Sequence, residues 1–321
     1  MKITSLLALS VSLVAGVCAP AAAQDYPSRP VQVTVAFPAG GSADIVGRQV
    51  MQKVGEMMGG SFVVENRTGA GGNIAFSYIA GQKPDGYSLL FSTPGIAINP
   101  SLYKKVNYKL DDFTPIALIG EAPLVLLANL QLPYKNINDL VAAAKAKPDV
   151  IRFASSGNGS SSHLAMDVLR AQTGMQYVHI PYRGGSAAMI DVMAGRVDVT
   201  MLPIAESMPY VRDGRLRSLG QTGSQRSPIA PDMPTIEEAG IAGYSSTTWY
   251  MVLGPASMSK DLVKTLQAQI ARAVNTPDLQ EKLKATGMTV INGNSEESEV
   301  FLKSEHRKWA TRIKASGTVL E

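Results

Sequence analysis

Cysteine is all but missing from this chain: among 321 residues Cys18 is the single one, and it lies in an apolar leader. Past residue 18 there are therefore no disulfides, no thiolate metal site and no cysteine nucleophile. Histidine is nearly as scarce. His163, His179 and His306 are the three present, and no two have the spacing of paired metal ligands. Charged residues make up 17%, below the ~25% usual for globular chains. Lys and Arg never gather into a run, which argues against a nucleic-acid partner. The G-x-S-x-G elbow of Ser hydrolases and both Gly-rich nucleotide fingerprints are absent. No cofactor, metal or catalytic residue is expected. What is present is apolar: 45% hydrophobic residues, too many for a disordered chain. The length suits about two domains. A formal charge of +4 gives a mildly basic surface with a weak preference for anions.

The first 23 residues read as an export signal. Lys2 supplies the positive start, residues 3–17 are apolar or small, and Ala21-Ala22-Ala23 offers the small-residue pattern cut by signal peptidase. The apolar run is shorter than the ~20 residues of a membrane span. Cys18 follows Ala15-Gly16-Val17, which lacks the flanking residues of a lipidation site. A soluble mature chain outside the cytoplasm, in the periplasm, is expected.

The rest alternates strand and helix. Residues 31–37 are β-branched and alternating, 38–42 are rich in Gly and Pro, and 43–58 place Ile45, Val46, Val50, Val54, Met57 and Met58 at helical spacing. The same order recurs. Strands are expected at 62–65, 87–92, 151–154, 177–180 and 197–201. Helices are expected at 73–80, 138–147, 163–172 and 187–194. This pattern predicts α/β architecture with largely parallel sheets. Three more helices, 259–275, 277–286 and 295–315, and a short strand at 288–291 close the chain. Two apolar stretches, 116–128 and 249–253, fit strands crossing between two lobes. Lobe 1 would then comprise 24–123 plus 247–321, and lobe 2 would be 124–246.

Three βα loops carry the candidate chemistry. In Phe37-Pro38-Ala39-Gly40-Gly41-Ser42-Ala43-Asp44, glycine lets backbone N–H groups turn outward, and the helix start adds unpaired donors and partial positive charge. That is an anion site; a plain tight turn with Ser42 as helix cap is the alternative. Asn66 to Asn73 repeats the arrangement. Ser155 to Ser162 offers five hydroxyls, with a flexible surface turn as the alternative. Arg183 could pair with a carboxylate or stay solvated. Ser160 and His163 are close in sequence, but a cap or packing role for the histidine outweighs a nucleophile–base pair. Trp249 and Tyr250 fit the core better than the cleft.

Several short stretches together resemble the Bug-type extracytoplasmic solute receptors of the tripartite tricarboxylate transporter class. They are Phe37-Pro38-Ala39-Gly40-Gly41 with Asp44 and Arg48; Val64-Glu65-Asn66-Arg67 with Gly69-Ala70-Gly71-Gly72-Asn73; and Pro84-Asp85-Gly86-Tyr87. Asn99-Pro100, Leu102-Tyr103, Pro181-Tyr182-Arg183-Gly184, Gly195-Arg196-Val197-Asp198 and Pro234-Thr235 with Glu238-Ala239-Gly240 follow in order. The resemblance implies a type II periplasmic-binding-protein fold: two α/β lobes, two crossing strands and a ligand cleft between them. It implies a ligand carboxylate held by backbone amides, small hydroxyls and water, and delivery to membrane permease subunits. A sensory receptor or a secreted hydrolase is the alternative function. The implied binding set comprises Phe37, Ala39, Gly40, Gly41, Ser42, Asp44, Asn66, Gly72, Ser92 and Thr93 from lobe 1. Lobe 2 contributes Ser156, Gly157, Gly159, Ser160, Ser161, His163, Arg183 and Leu202.

The stretch after Asp198 departs from the family. Many members carry an acidic or amide residue there, whereas this chain has Leu202-Pro203. A ligand ammonium would lack a counter-ion on that wall. The expected solute is therefore a carboxylate with an apolar, aromatic or second acidic end, not an amino acid, and a monomer is expected to bind it.

Overall fold

The computed structural model describes residues 26–316 and residue 320, so the leader and its cleavage site lie outside the described residues. Strand β1 (Val31–Val35) is buried everywhere except Gln32, as a strand covered on both faces must be. It leads through the Gly loop into α1 (Ser42–Met58), whose buried stripe of Val46, Val50, Met51 and Val54 faces the sheet. Then follow β2 (Phe62–Asn66), α2 (Asn73–Ala80), β3 (Ser88–Ser92) and α3 (Gly95–Leu102). The 16-residue β4 (Phe113–Ala128) comes next.

The middle of the chain repeats the strand–helix order: α4 (Ile137–Ala146), β5 (Arg152–Ser155), α5 (Ser161–Thr173), β6 (Val178–Pro181), α6 (Gly185–Met193), β7 (Val199–Pro203), α7 (Ile204–Arg212) and β8 (Arg217–Gln221). The chain then returns as β9 (Thr247–Pro255), α8 (Lys260–Val274), α9 (Pro277–Ala285), β10 (Thr289–Gly293) and α10 (Ser295–Ser316). No helix among the described residues is long and apolar enough to cross a membrane.

Strand β4 belongs to two sheets. Its first part, through Pro123, pairs with β9 and, between Leu118 and Glu121, with β10. From Leu124 onward it pairs with β7 and β8 instead. The strand order β2-β1-β3-β9-β4-β7-β5-β6 thus divides at β4 into two halves, called lobes 1 and 2 below. In each half the strands followed by helices run parallel, β1 with β2 and β3, and β5 with β6 and β7. Their βα junctions therefore open at one edge of each sheet, where ligands of α/β proteins are held.

The 116–128 stretch lies within β4 and carries the chain from one half to the other. The 249–253 stretch lies within β9, which pairs only with β3 and β4 in the first half. The return crossing comes just before it. There Ser246 N–H donates to Thr222 O at 2.9 Å, and the Thr222 hydroxyl accepts from Leu124 N–H at 2.8 Å.

Each sheet has an apolar cluster on both faces. In lobe 1 one is built on α1, α8 and α9 and the other on α2 and α3. In lobe 2 one is built on α4 and α5 and the other on α6 and α7.

Two helices were not read from sequence, α3 and α7. Pro100 and Pro209 sit inside them, each removing an N–H donor, and tertiary packing overrides that cost. Helix α6 also starts earlier than its pattern suggested, at Gly185.

Candidate functional site

The βα junctions of both halves meet across a gap. A cavity of about 60 Å³ is lined by Phe37, Pro38, Gly41, Ser42, Ala43 and Thr93 from lobe 1, and by Ser156, Ser160, Ser161, Arg183–Ser186, Pro203 and Glu206 from lobe 2. Thr248 of β9 lines it too. A wider cavity of about 420 Å³ shares Phe37, Pro38, Ser156, Arg183 and Gly184 with it, and adds Gly72, Gly157 and the 68–71 loop.

Three helices begin at the smaller cavity. Ser42 and Ala43 open α1, Ser161 opens α5, and Gly185 and Ser186 open α6. The first N–H groups of a helix have no partner inside it and carry partial positive charge. The expected cap at Ser42 is displaced by one residue: Gly41 occupies the cap position and supplies no side-chain bond, so Ser42 is the first helical residue.

The lobe 1 loop is held from behind. Asp44, 4% exposed, accepts from Gly40 N–H at 3.0 Å, from Arg48 Nε at 2.9 Å and from Asn66 Nδ2 at 2.9 Å. Asn66 also donates to Phe37 O at 2.9 Å. Although burial opposes it, hydrogen bonding by Arg48, Gly40 and Asn66 holds the Asp44 carboxyl below the usual carboxylate range. Asp44 and Asn66, expected to contact ligand, instead fix the shape of the loop.

The lobe 2 loop is held similarly. The Ser160 hydroxyl donates to Gly157 O at 2.6 Å and accepts from His163 N–H at 3.3 Å, a helix cap. His163 Nδ1 accepts from Gly159 N–H at 3.3 Å, and the His179 ring lies flat against the His163 ring. Ser155 Oγ contacts His179 Nε2 at 2.6 Å and accepts from Gly157 N–H at 3.1 Å. Ser160 and His163 therefore form no nucleophile–base pair. The hydroxyl proton is committed to a carbonyl, and the ring nitrogen is committed to a backbone N–H.

Of the expected binding set, Phe37, Gly41, Ser42, Thr93, Ser156, Ser160, Ser161 and Arg183 line the smaller cavity. Gly72 and Gly157 line only the wider one. Ala39 and Gly40 line neither. Ser92 is fully buried, its hydroxyl turned to Thr93 O at 3.2 Å. Gly159 sits against Asn99 of α3, and His163 lies beneath the loop. Leu202, expected on the wall, has no exposure and belongs to the α6–α7 core. Its position in β7 turns it away from the cleft, and Pro203 lines the cavity instead. Trp249 and Tyr250 are 1% exposed. Trp249 donates to Glu305 of α10 at 3.1 Å, and burial pushes the pKa of the Tyr250 hydroxyl up.

The sequence reading missed Glu206. It stands in the first turn of α7, and its Oε1 accepts from Ser42 N–H of the opposite lobe at 2.6 Å. Burial raises its pKa, opposed by hydrogen bonds from the amide and hydroxyl of Ser42. The argument that the wall lacks an acidic group therefore fails, because the acid arrives one turn after Leu202. A signal was available: β7 runs parallel to β5, so the residues just after Pro203 must emerge at the same edge as the other βα loops. Among the described residues no group of three or more His, Cys, Asp or Glu gathers for a metal ion.

Two α/β halves that share a through-going strand, with helix starts from both facing one gap, define the class of bilobal solute-binding proteins. The chain belongs to the tripartite tricarboxylate transporter receptor family, whose profile matches residues 46–318. BugT of Bordetella pertussis is 32% identical over 326 residues, covering 100% of both chains. Among solved structures, an R. palustris protein with adipate superposes at TM-score 0.88 with 31% identity, over 92% of this chain and 99% of that one. MatC from Rhodopseudomonas palustris with bound malate superposes at TM-score 0.83 with 28% identity, over 90% of this chain and 100% of that one.

Proposed function

We propose that this receptor captures a small organic carboxylate between its lobes, closes on it, and delivers it to the membrane subunits of a tripartite transporter. The observation that carries the proposal is the convergence of three helix starts and Arg183 on one interlobe cavity. Backbone donors at helix starts favour an acid group without a matching buried cation. The structural relatives with adipate and malate support the same ligand chemistry. Phe37, Gly41, Ser42, Thr93, Ser156, Ser160, Ser161 and Arg183 form the contact set, and a ligand that touches both halves favours the closed form. The protein works in the periplasm after loss of residues 1–23.

A thermal-shift screen over mono-, di- and aromatic carboxylates, followed by calorimetry, tests this. A true ligand at 100 times its Kd adds about 2.7 kcal/mol of stability, so the melting temperature rises with its concentration. The proposal fails if no acid shifts the melting temperature while uncharged solutes do.

A further inference from the structure

Away from the cleft, a cavity of about 530 Å³ lies between α5 of lobe 2 and α10. None of its lining residues lines either cleft cavity. Its floor is apolar: Leu164 and Val168 of α5 meet Trp309 and Ile313 of α10 there, none more than 8% exposed. Residues four apart share a helix face, so each helix contributes one apolar strip. The rim is charged. Asp167 is the one carboxylate that lines the cavity among the described residues, and it is already engaged. It accepts from the Tyr177 hydroxyl at 2.7 Å and pairs with Arg170 at 3.0 Å. Arg312 also lines the cavity, is exposed, and pairs with no carboxylate among the described residues. Its guanidinium stands 5.1 Å from the centroid of the Trp309 ring. Two arginines against one aspartate leave a single positive charge beside an apolar floor.

We propose that this cavity is a second binding site, for an amphipathic monoanion. The apolar body of the ligand lies on the floor against Trp309, and its one acid group pairs with Arg312. The volume falls within the ~300–1,000 Å³ of small-molecule sites, which are mostly apolar with a few polar groups that fix orientation. Arg312 suits a carboxylate because a guanidinium presents two parallel donors to it. A second acid group finds no unpaired cation, and the floor offers it no hydrogen bond, so dicarboxylates are disfavoured. The inference goes beyond the cleft reading and does not rest on it.

The probe is 3-phenylpropanoate, with 3-phenylpropanamide as its uncharged match. Each is titrated calorimetrically into wild type, Arg312→Gln, Ala171→Phe and Arg183→Gln, with tryptophan fluorescence followed in parallel. Ala171 lines the cavity and is exposed, so a Phe ring there occupies the space without entering the core. The acid is expected to bind wild type at least tenfold tighter than the amide and to change the tryptophan emission. R312Q and A171F each weaken it tenfold or more. R183Q, altered in the cleft, keeps a binding event of wild-type affinity. If the acid does not bind, or binds no tighter than the amide, the proposal is overturned. It is overturned as well if R312Q and A171F keep wild-type affinity while R183Q loses it. That last result places the probe in the cleft and leaves the carboxylate reading standing.

Discussion

His163 and His179 stack with ring centroids 4.1 Å apart and planes 6° from parallel. Burial pushes His163 down to about 4, helped by the positive Arg170, and His179 down to about 3, helped by His163. Both are neutral at pH 7, and the Gly159 N–H bond needs that neutral His163. Unfolded histidines bind protons from about 6.5 downward. Between that value and about 4 the unfolded chain therefore holds more protons than the native one, and native stability falls as pH falls. The urea midpoint should be flat above pH 7 and drop from pH 6.5 to 4.5, before most carboxylates protonate. For His163 the full effect is on the order of 3 kcal/mol. A midpoint unchanged between pH 7 and 5 would contradict this. At the residue scale the sequence pointed to loops that line the two cavities but blurred the roles within them. Asp44, Asn66 and His163 are close in sequence to the cavity, and only hydrogen-bond geometry shows that they hold loops in shape.

Elements meet across the cleft where side chains are missing. Gly71, at φ +63°, lies so close to the lobe 2 loop that a Cβ would overlap the Asn158 carbonyl oxygen. Gly184 approaches Pro38 in the same way, a Cβ there falling 2.8 Å from Pro38 Cγ. Because backbone and proline ring yield little, these contacts set how far the lobes can close. Gly71→Ala should hold the cleft open, weakening ligand affinity tenfold or more, about 1.4 kcal/mol. Its radius of gyration by small-angle scattering with ligand should exceed that of the wild type. Wild-type affinity in this variant would refute the steric limit. The parallel βα units were legible because apolar period alone separates their strands from their helices. Helix α7 was not, because Pro209 interrupts its apolar period, and with that helix went Glu206.

Over the whole molecule, α10 ties the halves together. Its Glu305, 7% exposed, accepts from the indole N–H groups of Trp249 at 3.1 Å and Trp309 at 3.2 Å. Trp309 and Ile313 then enter the cluster of Leu164, Val168 and Leu169 from α5, alongside Ile98 and Leu102 of α3. A helix entered from lobe 1 thus completes the core of lobe 2. Trp309→Ala should cost about 3–5 kcal/mol, as large-to-small changes at buried aromatics do, in urea unfolding followed by far-UV circular dichroism. A loss below about 1 kcal/mol would show that α10 is not a brace.

Hydrophobic period and loop composition are local properties, so the chain by itself determined the α/β class, the order of its units and the glycine loops that face the cleft. Short motifs in sequence order were enough for the family resemblance. Tertiary structure decided what depends on distance between remote residues. Strand β4 changes partners at Pro123, the 163–179 histidines stack beneath a loop, and a glutamate from one lobe settles on an amide 164 positions away in the other. No local pattern encodes a contact of that separation, because it exists only once both halves have folded and met.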